Sequence, residues 1–123
     1  MGNGGVLQAP VFYKGQKGDP VTLLEKGDAE ILASAMQGEA SKHGFDINGT
    51  VGGKTGTPNR DLRNKEKVND AWYMCYIDDA ATGNLLSVAL RIERTPEGVN
   101  SSRAVDFFKS AILYSLRECG YLG

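Results

Sequence analysis

The residues best equipped for chemistry lie in Gly49–Pro58, "GTVGGKTGTP". Glycines ahead of Lys54-Thr55 resemble the end of a phosphate-binding loop, which needs G-x-x-x-x-G-K-[ST]. The first glycine of that pattern falls on Asn48, and Gly49 comes one residue too late. A shorter loop loses a backbone amide from the ring that wraps a phosphate. In such a loop Lys-Thr also opens a helix whose positive end faces the anion. Here Gly56, Thr57 and Pro58 follow, and glycine and proline make poor helix interior. The spacing therefore argues against nucleotide binding. Read as a strand, the segment is coherent: Thr50, Val51, Thr55 and Thr57 favour extended backbone. Alternation then puts Thr55 and Thr57 on one face and Lys54 and Gly56 on the other. Two hydroxyls, a nearby ammonium and open amides suit a carboxylate and a polarised carbonyl. The same residues equally fit an edge strand with a solvent-facing lysine, and the chemistry alone leaves both readings open.

The flanking sequence supplies elements to hold this strand. Asn3-Gly4-Gly5 and Lys14–Pro20 carry turn chemistry, with Val11-Phe12-Tyr13 as a short extended piece between them. A helix follows. A Thr22/Glu25 capping box is interrupted by Gly27, so Asp28 is the expected N-cap and Gly44 the stop. Ile31, Leu32, Ala35, Met36 and Ala40 recur at helical spacing and predict a core-facing stripe. The mixed-charge run Arg60–Lys67 reads as a solvated loop. Ala71–Ile77 predicts an aromatic-rich strand, Asp78–Asn84 a hairpin loop, and Leu85–Glu93 a returning strand. The continuous apolar start of that last strand predicts burial on both faces. After a turn at Thr95–Gly98, Ser101 or Ser102 is expected to cap a final helix. That helix should bury Val105, Phe108, Ala111, Ile112, Ser115, Leu116 and Cys119, and Gly120 should end it. Sequential strands with short links predict an α+β fold, an antiparallel sheet packed against helices.

Bulk properties narrow the function classes. A chain of 123 residues is one domain or a piece of one. Apolar content of 41% and charged content of 24% are ordinary for a soluble protein. A net charge of −1 gives no electrostatic case for nucleic acid or an anionic membrane. No apolar run approaches the ~18 residues of a transmembrane span, and the first residues lack the signature of a signal peptide. Cys75 and Cys119 form no C-x-x-C and read as two small buried hydrophobes. His43 is the single histidine and has no Cys or carboxylate cluster near it, so a zinc site is not expected, and nothing in the chain implies another metal or an organic cofactor.

"GGKTGTP", with "DAWYMCYIDD" and "LLSVALRIE" after it, resembles the C-terminal part of the transpeptidase domain of penicillin-binding proteins. These carry three motifs, S-x-x-K, S-x-N and K-T-G, the last on a strand lining the active site. That strand is often extended to K-T-G-T and followed by a strand containing Ala-Trp and an aromatic, as in Ala71-Trp72-Tyr73. Upstream, "NGGVLQAP" looks like the N-G-G segment after the second motif, and "AEILASAMQGEA" like the helix before the K-T-G strand. The resemblance spans nearly the whole of residues 1–123 and implies a partial β-lactamase/transpeptidase-like fold. It also implies serine acyl transfer on D-Ala-D-Ala stem peptides of peptidoglycan, in an enzyme that β-lactams acylate.

By that resemblance, Thr57 would give its backbone N–H to the oxyanion hole, and Thr55 and Thr57 would hold a carboxylate. Lys54 would orient the wall and add charge, and Gly56 would let ligand lie close. The departures are equally informative: no serine is followed by lysine three residues on, and no S-x-N occurs. Cys75 stands where the family commonly has glycine. The expectation is therefore a segment without catalysis of its own, whose partner is the N-terminal remainder of the domain. The intact protein would be extracytoplasmic and membrane-anchored. A stand-alone, degenerate binding module of the same fold is the alternative. Missing strands would leave a sheet edge and helix faces bare, so self-association is expected.

Overall fold

A computed structural model describes residues 2–11, 13, 15–61, 67–96 and 98–123. The fold is α+β. Its centre is a long antiparallel hairpin, β5 (Lys67–Asp79) and β6 (Leu85–Pro96). β5 is the middle strand. One edge pairs with β6; the other pairs first with β4 (Asn59–Asp61) and then with β3 (Gly49–Gly56). Helix α1 (Lys26–Ser41) packs on β3. The chain closes with α2 (Ser102–Phe107), a π-helical turn over Phe108–Ile112, and α3 (Leu113–Glu118). Near the N-terminus, β1 (Val6–Gln8) and β2 (Pro20–Thr22) form a separate antiparallel pair.

Alternation gives the sheet two unlike faces. Ala71, Tyr73, Cys75 and Ile77 of β5 are buried against Ala104, Val105, Phe108 and Leu113. Leu86, Val88, Leu90 and Ile92 of β6 complete that face, each half-buried. The other face of β6 carries Leu85, Ser87, Ala89 and Arg91, all exposed. The apolar start of β6 is therefore buried on one face rather than two, because the helical core residues lie on one side of this strand.

Two polar anchors fix the hairpin. At one end the Asp79 carboxylate is fully buried and accepts hydrogen bonds from Thr82 Oγ1 at 2.6 Å, Thr82 N at 3.0 Å and Gly123 N at 3.1 Å. Asn84 Nδ2 also donates to Tyr121 O, so the β5–β6 turn is tied to the chain's last residues. At the other end β6 carries one extra residue opposite Asn69–Ala71, and Arg94 takes φ 56° there. Buried Asp70 accepts Arg94 N at 3.1 Å and Arg91 Nη2 at 2.6 Å, holding this bulge.

Several expectations are corrected. α1 begins at Lys26, two residues before Asp28, and has no side-chain cap. Its sheet-facing stripe is Ala29, Ala33, Met36 and Ala40, whereas Ile31 and Leu32 are 70% and 43% exposed. Small side chains let the helix lie close to a glycine-rich strand, and the larger apolar residues point away. The extended piece at 11–13 is not a strand: Val11 is irregular and Tyr13 lies in a bend, while Phe12 lies outside the described residues. The final helix is capped by Asn100 Oδ1 on Ser102 N, not by a serine side chain. Its π turn adds one residue to the period, so Leu113 is buried and Cys119 is exposed. Gly120 ends it as expected, at φ 73°, with Tyr121 N on Leu116 O and Gly120 N on Arg117 O. Of the run Arg60–Lys67, residues 62–66 lie outside the described residues, and its two ends pair as Asp61 and Lys67.

Thr82, through its hydroxyl above all, holds the Asp79 carboxyl below the usual carboxylate range. A depressed folded pKa contributes stability that is complete above the unfolded value of about 3.9 and is lost as pH falls through the folded value. Asp79→Asn should therefore unfold more readily than the parent in urea at pH 7, with the gap narrowing as the pH is taken below about 3.9. A gap that stays constant with pH would contradict this role.

Candidate functional site

Lys54, Thr55 and Gly56 occupy the last three positions of β3, opposite Met74, Tyr73 and Trp72 of β5. The segment is a strand, as its residue types predict, and no helix opens at Lys54-Thr55. Lys54 and Gly56 share the open face with Met74 and Trp72, and Thr55 lies on the helix-covered face with Tyr73. Lys54 is exposed, and its Nζ donates to Thr55 O at 2.6 Å. The strand stops one residue short of Thr57. The Thr57 hydroxyl accepts Ser101 N at 3.0 Å, which ties the end of the motif to the start of the final helix. That oxygen keeps its own proton to donate.

Why the segment is so rich in glycine is visible in what lies over each one. A Cβ on Gly52 would meet the Tyr76 ring, 2.5 Å from Cζ, and a Cβ on Gly53 would meet the Tyr73 ring, 2.8 Å from Cζ. Two tyrosines of β5 thus clamp consecutive glycines from opposite faces, and no residue larger than glycine fits. Gly56 differs. Its nearest neighbour for a Cβ is Trp72 Cβ at an ordinary 3.5 Å, and its φ is not positive. Packing requires glycine at 52 and 53 and does not require it at 56. The bare backbone at Gly56 is available to something outside the fold.

The tyrosines are held in turn. Gln37 Nε2 of α1 donates to Tyr76 Oη at 2.8 Å. Tyr73 is fully buried, 5.1 Å from Phe108, 5.9 Å from Phe45 and 6.2 Å from His43, ring centre to ring centre. Its hydroxyl has no hydrogen-bond partner among the described residues, nor does buried His43 Nε2. Burial, then the neighbouring Cys75 and Glu39, pushes the phenol far above its ordinary value. Burial likewise pushes the Cys75 thiol up to about 12, so it is unreactive at neutral pH.

Charge near the motif is mixed. Lys42 pairs with Glu39 at 2.5 Å and holds its carboxyl down, with a smaller contribution from Lys54. On the open face Arg91 lies 5.4 Å from the Trp72 ring centre and pairs with Asp70 and Glu93. Sequence reasoning singled out neither Arg91 nor Asp70; their neighbourhood follows from the strand register, which one-dimensional spacing does not contain. A shallow cleft of about 230 Å³ lies elsewhere, at the opposite end of β3, between α1 and Gly49–Val51. Among the described residues no three His, Cys, Asp or Glu side chains gather as a metal site. Comparison with protein-family models, with curated proteins and with solved structures finds no match.

The glycine assignments separate cleanly by substitution. Gly53→Ala should destabilise the fold by about 1–3 kcal/mol through overpacking, and a Tyr73→Phe background should recover part of that loss. Tyr73→Phe alone should be neutral or stabilising, because it removes an unpartnered buried hydroxyl. Gly56→Ala should leave the urea midpoint nearly unchanged. Equal losses for Gly53→Ala and Gly56→Ala would refute the distinction.

Proposed function

We propose that this chain is the C-terminal segment of a penicillin-binding protein's transpeptidase domain, supplying the K-T-G wall of the active site. The observation that carries the reading is the pairing of the Lys54-Thr55-Gly56 strand with the Ala71-Trp72-Tyr73 strand, with Lys54 on the uncovered face. The unneeded glycine at 56 supports it. The order of helix, motif strand, Ala-Trp strand, returning strand and final helix matches the order the resemblance implies.

In this reading the Thr57 N–H is one oxyanion donor, a contact typically worth about 3 kcal/mol in the transition state. The hydroxyls of Thr55, on the helix-covered face, and of Thr57, just past the strand's end, bind the carboxylate of a D-Ala-D-Ala peptide or a β-lactam, and Lys54 contributes the positive potential from the other face. Oxyanion donors stabilise a tetrahedral intermediate that only a nucleophile creates. With no S-x-x-K serine in the chain, that nucleophile comes from the N-terminal remainder of the domain, and this segment alone does not turn over substrate. Peptidoglycan stem peptides and β-lactams are then ligands of the intact, extracytoplasmic protein. Among the described residues no helix is long and apolar enough to cross a membrane.

Intact mass after incubation with a penicillin tests the proposal. The 123-residue chain should gain no adduct, and the longest polypeptide encoded by the native gene should gain one. No adduct on either would favour a binding module that has lost the chemistry. An adduct on the 123-residue chain would show an activated serine within it and overturn the account of a missing nucleophile.

A further inference from the structure

β6 pairs with β5 along one edge only; among the described residues no strand lies on its other edge. An open edge is a template for another strand, and proteins that stay monomeric blunt it with proline, lysine, bulges or brevity. Over Leu85–Ile92 this edge has no proline, no lysine and no bulge; its one charged residue is Arg91, and the bulge at Glu93-Arg94 and Pro96 lie beyond it. These extended residues present about 27 Å of backbone.

We infer that a second copy of this chain pairs with β6, antiparallel and about a two-fold axis at Ala89. The sequence is self-complementary in that register. On the helix-covered face Leu86 meets Ile92 of the other copy and Val88 meets Leu90, and each pair recurs by symmetry. These four residues are the ones half-buried in a single copy, because the helices cover β5 better than β6. On the open face Ser87 meets Arg91 and Ala89 meets Ala89. No like charges come opposite one another. Moving the axis to Arg91 sets two arginines face to face, and a shift of the register by one residue sets the apolar row of one copy against the exposed row of the other. The product is a continuous sheet of two β5–β6 hairpins, with both open faces on the same side. This inference rests on the sheet alone and not on the reading of the Lys54 strand, so a failed penicillin test leaves it standing.

Ala89 is exposed and sits on the axis, which makes it the place to test. Sedimentation equilibrium of the 123-residue chain should give a dimer at high micromolar concentration. Ala89→Lys and Ala89→Glu should each weaken the dimer by at least about tenfold by placing like charges together. An equimolar mixture of the two variants should dimerise again, which a merely misfolded variant would not do. Alternate amides of Leu85–Ile92 should exchange more slowly as concentration rises, since pairing gives their outward N–H groups acceptors; packing of the two open faces would not. A monomer at every concentration would overturn the inference and leave this edge to a strand from outside the chain. So would a dimer indifferent to charge at 89, or one without added protection in β6.

Discussion

The position of Tyr73 governs how this chain is assembled. Its ring, fully buried in the central strand, is where three separate segments meet: His43 and Phe45 just after α1, Phe108 in the π turn, and the backbone of β3 at Gly53. Phe45 and Phe108 also stack edge to face, 5.4 Å apart, so the cluster is a closed aromatic triangle. A ring that large leaves room for no side chain at Gly53. Gly53 is therefore fixed directly over the cluster, and Lys54, Thr55 and Gly56 follow at the strand's own repeat. The reactive-looking end of β3 is a rigid extension of the hydrophobic core.

The second consequence is asymmetry. Helices α2 and α3 cover one face of the sheet, and the face that bears Lys54, Gly56, Trp72 and Arg91 is open. Met74, in the middle of the sheet, is 48% exposed. The same imbalance runs through α1, whose Ala29 and Ala40 are buried while Ile31 and Leu32 face outward. Other exposed apolar residues, among them Leu7, Leu23, Phe107 and Tyr114, lie away from the sheet and α1, and such scatter over a surface is ordinary.

Much of this was legible in the residues. The β5–β6 hairpin announced itself through aromatic and branched runs around a polar turn, and Gly120 through its place after the last apolar turn. The extended form of the motif followed from Gly56 and Pro58 after Lys54-Thr55. That two tyrosines twenty-odd residues on would cover Gly52 and Gly53 was not legible, since it depends on register. The helical spacing of Ile31, Leu32, Ala35, Met36 and Ala40 predicted one core-facing stripe, but Ile31, Leu32 and Ala35 are exposed, because the choice of buried face is made by the strand the helix packs on. The π turn, which moves burial from Cys119 to Leu113, leaves no mark in a 3.6-residue pattern. The three-residue strands β1 and β2 are too short for alternation to reveal.

The account stands on Lys54-Thr55-Gly56 being strand, paired with β5 in one register. Cross-strand contacts in the nuclear magnetic resonance spectrum of the chain measure this directly. The register predicts Hα–Hα contacts at alternate pairs between Val51–Gly56 and Trp72–Ile77, with ring protons of Tyr73 against Gly53 and of Tyr76 against Gly52. Successive amide–amide contacts running on from Lys54-Thr55, without contacts to β5, would mean a helix opens there, and the strand reading with everything built on it would be wrong.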